Sequence, residues 1–330
     1  MHQRQLGKDG PDVSAIGLGC WSFAGAYGPT DEVESHKTLK AALDLGINFL
    51  DTANVYGNGV SERVIGSFIK DNKDAFTIAT KAGIYRDPKT NVRGFNNDPK
   101  HLRGELEKSL RNLGVDHVAL YYIHRREAER PIEDVMETLV RFKDEGKIGG
   151  IGFSEISPAS MRRAHACHPV MAVQSEYSLW TRMPELGMIR ACADLGVAFL
   201  PFSPLGRGMF ARKDPDPATF HDGDFRKANP RFVEPNFSYN VKAIAPFKAF
   251  AADLGVSPAT LAIAWVLAQG DHLIALPGTR SANHLEEDAA AADFTLTPDI
   301  AARIADILPP GFAHGDRYSQ VQLAGAERYC

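Results

Sequence analysis

The chain has 330 residues, 44% hydrophobic and 24% charged, with a formal net charge of -4 and a pI near 6.3. Such values belong to an ordinary soluble globular protein, and the slight acidity gives no reason to expect nucleic acid or an anionic membrane as partner. No run approaches the roughly 18 apolar residues that a membrane helix needs, and the opening Met-His-Gln-Arg-Gln-Leu-Gly lacks the apolar core of a signal peptide.

Short β-like runs alternate with helical stretches along the chain, the pattern of βα units and a parallel sheet. The first feature, residues 4–16, predicts a hairpin turning at Asp9-Gly10 and plugging a barrel floor. Strands are predicted over 15–20, 47–51, 76–81, 118–124, 148–154, 171–174, 197–202 and 273–276. Helices are predicted over 31–45, 61–70, 99–112, 131–145, 158–165, 183–195 and 258–269, with an extra one over 241–254. Pro131, Pro158 and Pro258 read as first-turn prolines, with Ser157 and Ser257 as caps. Gly46, Gly114, Gly146, Gly196 and Gly255 each close a helical stretch with a left-handed cap. After the seventh strand, residues 205–240 are rich in Pro, Asp, Phe and Arg, and a stretch so long at that rim predicts a lid. The expectation is one domain over 1–330, an α/β fold of the (β/α)8 TIM barrel type. Cys20, Cys167, Cys192 and Cys330 show no CxxC or metal-ligand spacing, which suits a reducing cytoplasm and gives no reason to expect a metal.

Side chains at the C-terminal strand ends of such a barrel build its active site. Asp51, Lys81 and His124 end the second, third and fourth predicted strands, and Tyr56 follows Asp51 in the adjoining loop. Singly each has a bland reading: a loop cap, a loop aromatic, a surface lysine. Together they require four strand-end coincidences, and they make a proton-handling set. Hydride addition to a carbonyl leaves an alkoxide that needs a proton, and a phenol of pKa about 10 is a poor donor near neutrality. An ammonium beside Tyr56 favours the phenolate and lowers that pKa, while Asp51 keeps Lys81 charged. His124 is placed to hydrogen-bond the carbonyl oxygen.

On these residues the chain resembles the aldo-keto reductase family, closer to the branch of the channel β subunits than to that of aldose reductase. The resemblance implies the tetrad Asp51, Tyr56, Lys81 and His124. It extends to Gly19-Cys20-Trp21, which resembles an element touching the cofactor ribose and the substrate cavity, and to the stretch ending in Ser154. Ser154 and Gln174 are implied as ligands of the nicotinamide carboxamide, with Glu155 standing where many members carry Asn. Pro201-Phe-Ser-Pro-Leu-Gly-Arg-Gly208 resembles a segment that stacks an aromatic on the nicotinamide and holds the pyrophosphate. That implies Phe202, Ser203, Leu205 and Gly206, with Arg207 and Gly208 beside them. Gly278, Thr279, Arg280 and His284 are implied for the 2'-phosphate of NADP(H), and Glu287 and Asp288 for the adenine, where many members carry Glu-Asn. No GxGxxG follows a strand.

The resemblance thus implies NADPH-dependent reduction of a small carbonyl compound, reversible as alcohol oxidation. Two other readings stand beside it: a Schiff-base aldolase acting through Lys81, and a non-catalytic NADP(H)-sensing subunit of the same fold. Trp21, Phe23, Tyr27, Tyr56, Tyr85 and His124 suggest an aromatic substrate pocket. Arg125 and Arg126 either receive an anionic or hydroxylated substrate or pair with Glu127 and Glu129, the second being the default. The sequence does not give the oligomeric state.

Overall fold

The computed structural model describes residues 1–87, 89–90 and 92–329, so Cys330 lies outside the described residues. The chain opens with an antiparallel pair, β1 (Gln3–Gln5) and β2 (Asp12–Ser14). Barrel strands follow: β3 (Leu18–Gly19), β4 (Phe49–Asp51) and β5 (Thr77–Ala82). A second antiparallel hairpin, β6 (Ile84–Arg86) and β7 (Arg93–Phe95), stands on the rim. The barrel continues through β8 (Val118–Ile123), β9 (Ile148–Ser154), β10 (Ala172–Glu176) and β11 (Ala198–Phe202). The parallel sheet runs in the order β3, β4, β5, β8, β9, β10, β11.

The predicted eighth strand closes this ring, but as isolated bridges rather than a ladder. Leu273 and Leu276 bridge to Phe199 and Phe202 on one side, and Ala275 and Gly278 bridge to Ile16 and Gly19 on the other. The run is confined between a turn at Gly270 and Pro277, which donates no N–H, so little length remains for regular pairing. The first predicted strand is also shortened, since Cys20–Ala24 turns into a 3-10 helix.

Helices clothe the barrel: α1 (Glu32–Asp44), α2 (Val60–Phe68), α3 (Pro99–Leu113), α4 (Ile132–Asp144), α5 (Pro158–Cys167) and α6 (Met188–Leu195). Then come α7 (Asn236–Asp253), α8 (Pro258–Leu267), α9 (Ala282–Ala289), α10 (Pro298–Ile307) and a short α11 (Gln320–Leu323). Ser157 and Ser257 cap α5 and α8 through the backbone N–H three residues on. All five predicted cap glycines lie at φ between 67° and 74°. Pro131 sits one position earlier than predicted, at the N-cap of α4, with extended ψ. The predicted helix over 183–195 is broken at Gly187, where a 3-10 turn gives way to α6.

Two apolar layers result. Inward residues from β4, β5, β8, β10, β11 and the closing run, among them Phe49, Ala79, Leu120, Tyr122, Ala172, Leu200 and Ile274, fill the barrel together with Leu6 and Val13 of the first hairpin. The plug is therefore present, but its turn is wider than predicted: Leu6 N donates to Pro11 O, and residues 6–11 form the loop. Gly7 has φ +74°, and a Cβ there would meet Met171 O at 2.3 Å, so the loop lies hard against the barrel wall. Arg4 fastens the plug by donating to the carbonyls of Leu267, Gly270 and Leu273.

Candidate active site

Register alone brings Asp51 and Lys81 together. Asp51 pairs with Ala79, and Lys81, two residues further along β5, points to the same barrel face. Lys81 Nζ donates to Asp51 Oδ1, to Thr52 O at 2.8 Å and, at the outer limit of a hydrogen bond, to Tyr56 Oη at 3.5 Å. The ammonium also lies 5.2 Å from the Tyr56 ring centroid. Gln174 Nε2 donates to Asp51 Oδ2 at 2.8 Å, so both oxygens of that buried carboxylate are engaged. His124, immediately after β8, meets the Tyr56 ring edge-on at 5.9 Å, and Trp21 stacks on that ring at 5.9 Å. The four predicted residues meet at one rim.

Burial sets the charge states. It pulls the Lys81 pKa down and pushes the Asp51 pKa up, each opposed by the partner's charge. Tyr56 corrects the expectation: desolvation first, then the negative charge of Asp51, raises the phenol above its ordinary value, against an opposing pull from Arg125. In the resting pocket the phenol keeps its proton. Burial, then the charges of Arg125, Lys81 and Arg93, drives the His124 pKa far down, so its imidazole is neutral.

Asp51, Tyr56 and His124 line a cavity of about 1450 Å³, with Lys81 just behind them. Every residue assigned above to the cofactor lines it except Gly206, whose N–H bonds to Ser203 O and where a Cβ would meet the Trp180 ring at 3.0 Å. Ser203 and Arg207 take left-handed backbone, φ 53° and 58°, an uncommon conformation for side-chain-bearing residues that bends this segment around the cavity. Arg207 is held by a buried ion pair with Glu176 at 2.5 Å. The 205–240 stretch does roof the cavity, as short 3-10 turns rather than a free loop. Phe225 meets Trp21 edge-on at 5.4 Å, and Arg212 pairs with Glu287 of α9 at 2.8 Å.

Of the predicted substrate aromatics, Phe23 is in the core and does not line the cavity, whereas Tyr27 and Tyr85 do. Neither arginine beside His124 makes the pairing expected by default. Arg126 binds Glu327 near the C-terminus, and Arg130 takes Glu127 instead. Arg125 is buried and donates to His124 O at 2.6 Å and Ser154 Oγ at 2.9 Å. Glu155 stands outside the cavity lining, at φ 55°, with its carboxylate turned to Arg317 and to the N–H of Glu176. Asp288 lines the cavity, and burial, then Glu287, pushes its carboxyl up to about 8. Tyr318, Gln322 and Arg93 also line the cavity. Nothing local in the sequence marks the tail residues, and Arg93 follows a polar stretch of turn-forming composition, Arg86-Asp-Pro-Lys-Thr-Asn91.

A parallel barrel with a buried phenol, ammonium, carboxylate and neutral imidazole on its C-terminal rim, beside a large cavity, defines a (β/α)8 protein with an ionisable set at its mouth. Residues 15–309 match the Aldo/keto reductase family. The chain is 37% identical over 321 residues to Aldo-keto reductase yakc (NADP(+)) of Schizosaccharomyces pombe, covering 96% of this chain and 94% of that protein. It is 37% identical over 318 residues to Probable aldo-keto reductase 1 of Glycine max, covering 95% and 91%. A glycerol dehydrogenase structure from Gluconobacter oxydans superposes with a TM-score of 0.83 at 30% identity, covering 93% of this chain and 94% of that one. A Klebsiella pneumoniae aldo/keto reductase, in complex with NADP and acetate, shares the fold at TM-score 0.74 and 22% identity over 97% of this chain and 99% of that one. This protein belongs to the aldo/keto reductase family.

Proposed function

We propose that the protein reduces an aldehyde or ketone to an alcohol with NADPH, that Tyr56 delivers the proton, and that the same site runs backwards as alcohol oxidation. The observation that carries this reading is Tyr56 Oη, 3.5 Å from Lys81 Nζ and beside the neutral ring of His124, at the base of a cavity whose other end reaches the start of α9. That other end suits a phosphate. Ser281 caps α9, and the Arg280 guanidinium faces the cavity with no ion pair among the described residues. The yeast relative's name, which carries NADP(+), supports the same cofactor.

Ser154 and Gln174 would hold the nicotinamide amide, Phe202 would face its ring, Ser203, Leu205 and Gly208 would border the pyrophosphate, and Thr279, Arg280 and His284 would take the 2'-phosphate. NADPH, when bound, supplies the hydride. His124 orients the carbonyl oxygen with a ring N–H toward Tyr56. Tyr56 starts protonated, as a general acid must, and the Lys81 ammonium stabilises the phenolate left when the proton has gone. Asp51 fixes that ammonium in place.

The test follows loss of NADPH absorbance with a panel of aldehydes and ketones, in wild type and Tyr56→Phe. The variant should lose turnover by roughly 10²–10⁴-fold while NADPH binding stays near wild type. Near-normal turnover in the variant rejects the assignment.

A further inference from the structure

The β6–β7 hairpin carries an arrangement that the chemistry above leaves unused. Its register sets Arg86 directly opposite Arg93, and like charges facing each other across a hairpin destabilise it. Arg93 is half-buried and lines the cavity. Its guanidinium lies 5.2 Å from the Phe95 ring and makes no hydrogen bond or ion pair among the described residues. Burial, and then the positive charges of Arg125 and Arg86, draws its pKa down to about 10.

Arg125 faces the same end of the cavity. It is 7% exposed, and its Nε is buried without a partner, although one Nη serves His124 O and Ser154 Oγ. The neighbouring carboxylates are already committed: Asp51 to Lys81, Glu155 to Arg317 and Glu127 to Arg130. Glu105, also on the cavity wall, accepts the amide of Asn54 at 2.7 Å. Arg93 and Arg125 therefore make no ion pair among the described residues in a partly desolvated setting, which is costly until an anion arrives. Guanidinium forks match the planar or tetrahedral oxygens of carboxylates and phosphates.

We propose that the carbonyl substrate bears an anionic group, a carboxylate or a phosphate ester, received by Arg93 and Arg125 beside His124. This rests on the carbonyl-reductase reading above. The anionic group is distinct from the 2'-phosphate assigned to Arg280, which belongs to the opposite end of the cavity.

The experiment compares kcat/KM for 4-carboxybenzaldehyde and its methyl ester at saturating NADPH, and for glyceraldehyde 3-phosphate and glyceraldehyde. An anion site gives the charged member of a pair a preference of roughly ten- to hundredfold, which falls with added salt. Arg93→Gln should bring that preference close to unity, and Arg93→Lys should restore part of it. Preference in the benzaldehyde pair alone identifies a carboxylate, and in the phosphate pair alone a phosphate ester. A second readout needs no turnover: calorimetry of terephthalate against benzoate on the NADP(+)-loaded protein, in which the second carboxylate should tighten binding in wild type and not in Arg93→Gln. Equal rates within both pairs, with terephthalate no tighter than benzoate, overturn the proposal. Failure to reduce any of these aldehydes would instead defeat the carbonyl-reductase reading, and the calorimetry then decides the anion site alone.

Discussion

Arg317 donates through both terminal nitrogens to the two oxygens of Glu155, at 3.1 and 2.5 Å, joining residues 162 positions apart. The pair ties the C-terminal tail to the end of β9, so Tyr318 is held against Phe225 on the cavity wall. Against the desolvation of its buried site, the charge and hydrogen bonds of Arg317 keep the Glu155 carboxyl below its ordinary value. A carboxyl depressed in the folded state contributes stability at pH above its unfolded pKa, and that contribution is lost as pH falls through the folded one. Arg317→Ala leaves a buried carboxylate unpaired and should cost about 3–5 kcal/mol in denaturant unfolding at neutral pH. The deficit against wild type should shrink below about pH 4, as the carboxylate is neutralised. A deficit unchanged over that range would mean the pair is not what the mutation removes.

Lys81 separates reduction from imine chemistry. Its side chain is fully buried and bound to Asp51 and Thr52, and it lies behind the cavity lining, an arrangement that suits a fixed ammonium better than an imine-forming nucleophile. Lys81→Met should abolish carbonyl reduction while NADPH still binds, and wild type treated with borohydride and substrate should trap no adduct. A covalent adduct mapped to Lys81 by mass spectrometry would promote the aldolase.

Arg280 should set the choice of cofactor. Loss of a charge-assisted contact to phosphate costs on the order of 1.5–3 kcal/mol. Arg280→Ala should thus weaken NADPH binding by one to two orders of magnitude and leave NADH nearly unchanged, measured by fluorescence titration. Equal losses for both would point to general damage.

Asp288 occupies a position where a neutral group fits better than a charge. Its folded pKa of about 8 lies above the ordinary 3.8, so ionisation works against the fold from about pH 4 upward, with full effect above about pH 8. Asp288→Asn should raise the Tm more at pH 8 than at pH 5, and should lessen the weakening of NADPH binding with rising pH, because the amide donates at every pH. A variant whose Tm gain is the same at both values would show that Asp288 is not protonated in the folded protein.

The tetrad was legible because Asp51, Lys81 and His124 each end a short apolar run, Tyr56 stands in the loop just after the first, and strand ends on a parallel barrel share one rim. Period-two alternation even decides that Lys81 faces Asp51. The 84–95 hairpin was hidden, since Arg-Asp-Pro-Lys-Thr-Asn reads as polar turn chemistry and only tertiary contact makes Arg93 a wall of the cavity. Glu155 and Arg317 illustrate the other blind spot. A departure from a family pattern showed that something differed at Glu155, but its partner lay in the tail, where nothing local marks an ion pair. The upward shift of Tyr56 was missed for a related reason: the charges around it were readable, whereas the depth of its burial was not.

A ring of strands closed by single bridges has a clasp. Between β11 and β3 the hoop is closed by one short run, 272–278, through bridges at Leu273, Ala275, Leu276 and Gly278 and backbone hydrogen bonds such as Ile274 N to Phe199 O and Ala275 N to Ala15 O, and the clasp is braced below by Arg4, whose guanidinium grips three carbonyls of the 267–273 turn. The run pairs over fewer residues than β8 does with β9, so this is the seam where the barrel should open at least cost, and the amides of 273–276, though hydrogen-bonded, should exchange with deuterium sooner than those of β8 and β9. The same clasp carries Pro277 to Arg280 on its upper end. A cut or fusion near residue 4, at the bottom of the barrel, is thereby linked mechanically to the segment proposed to hold phosphate at the top.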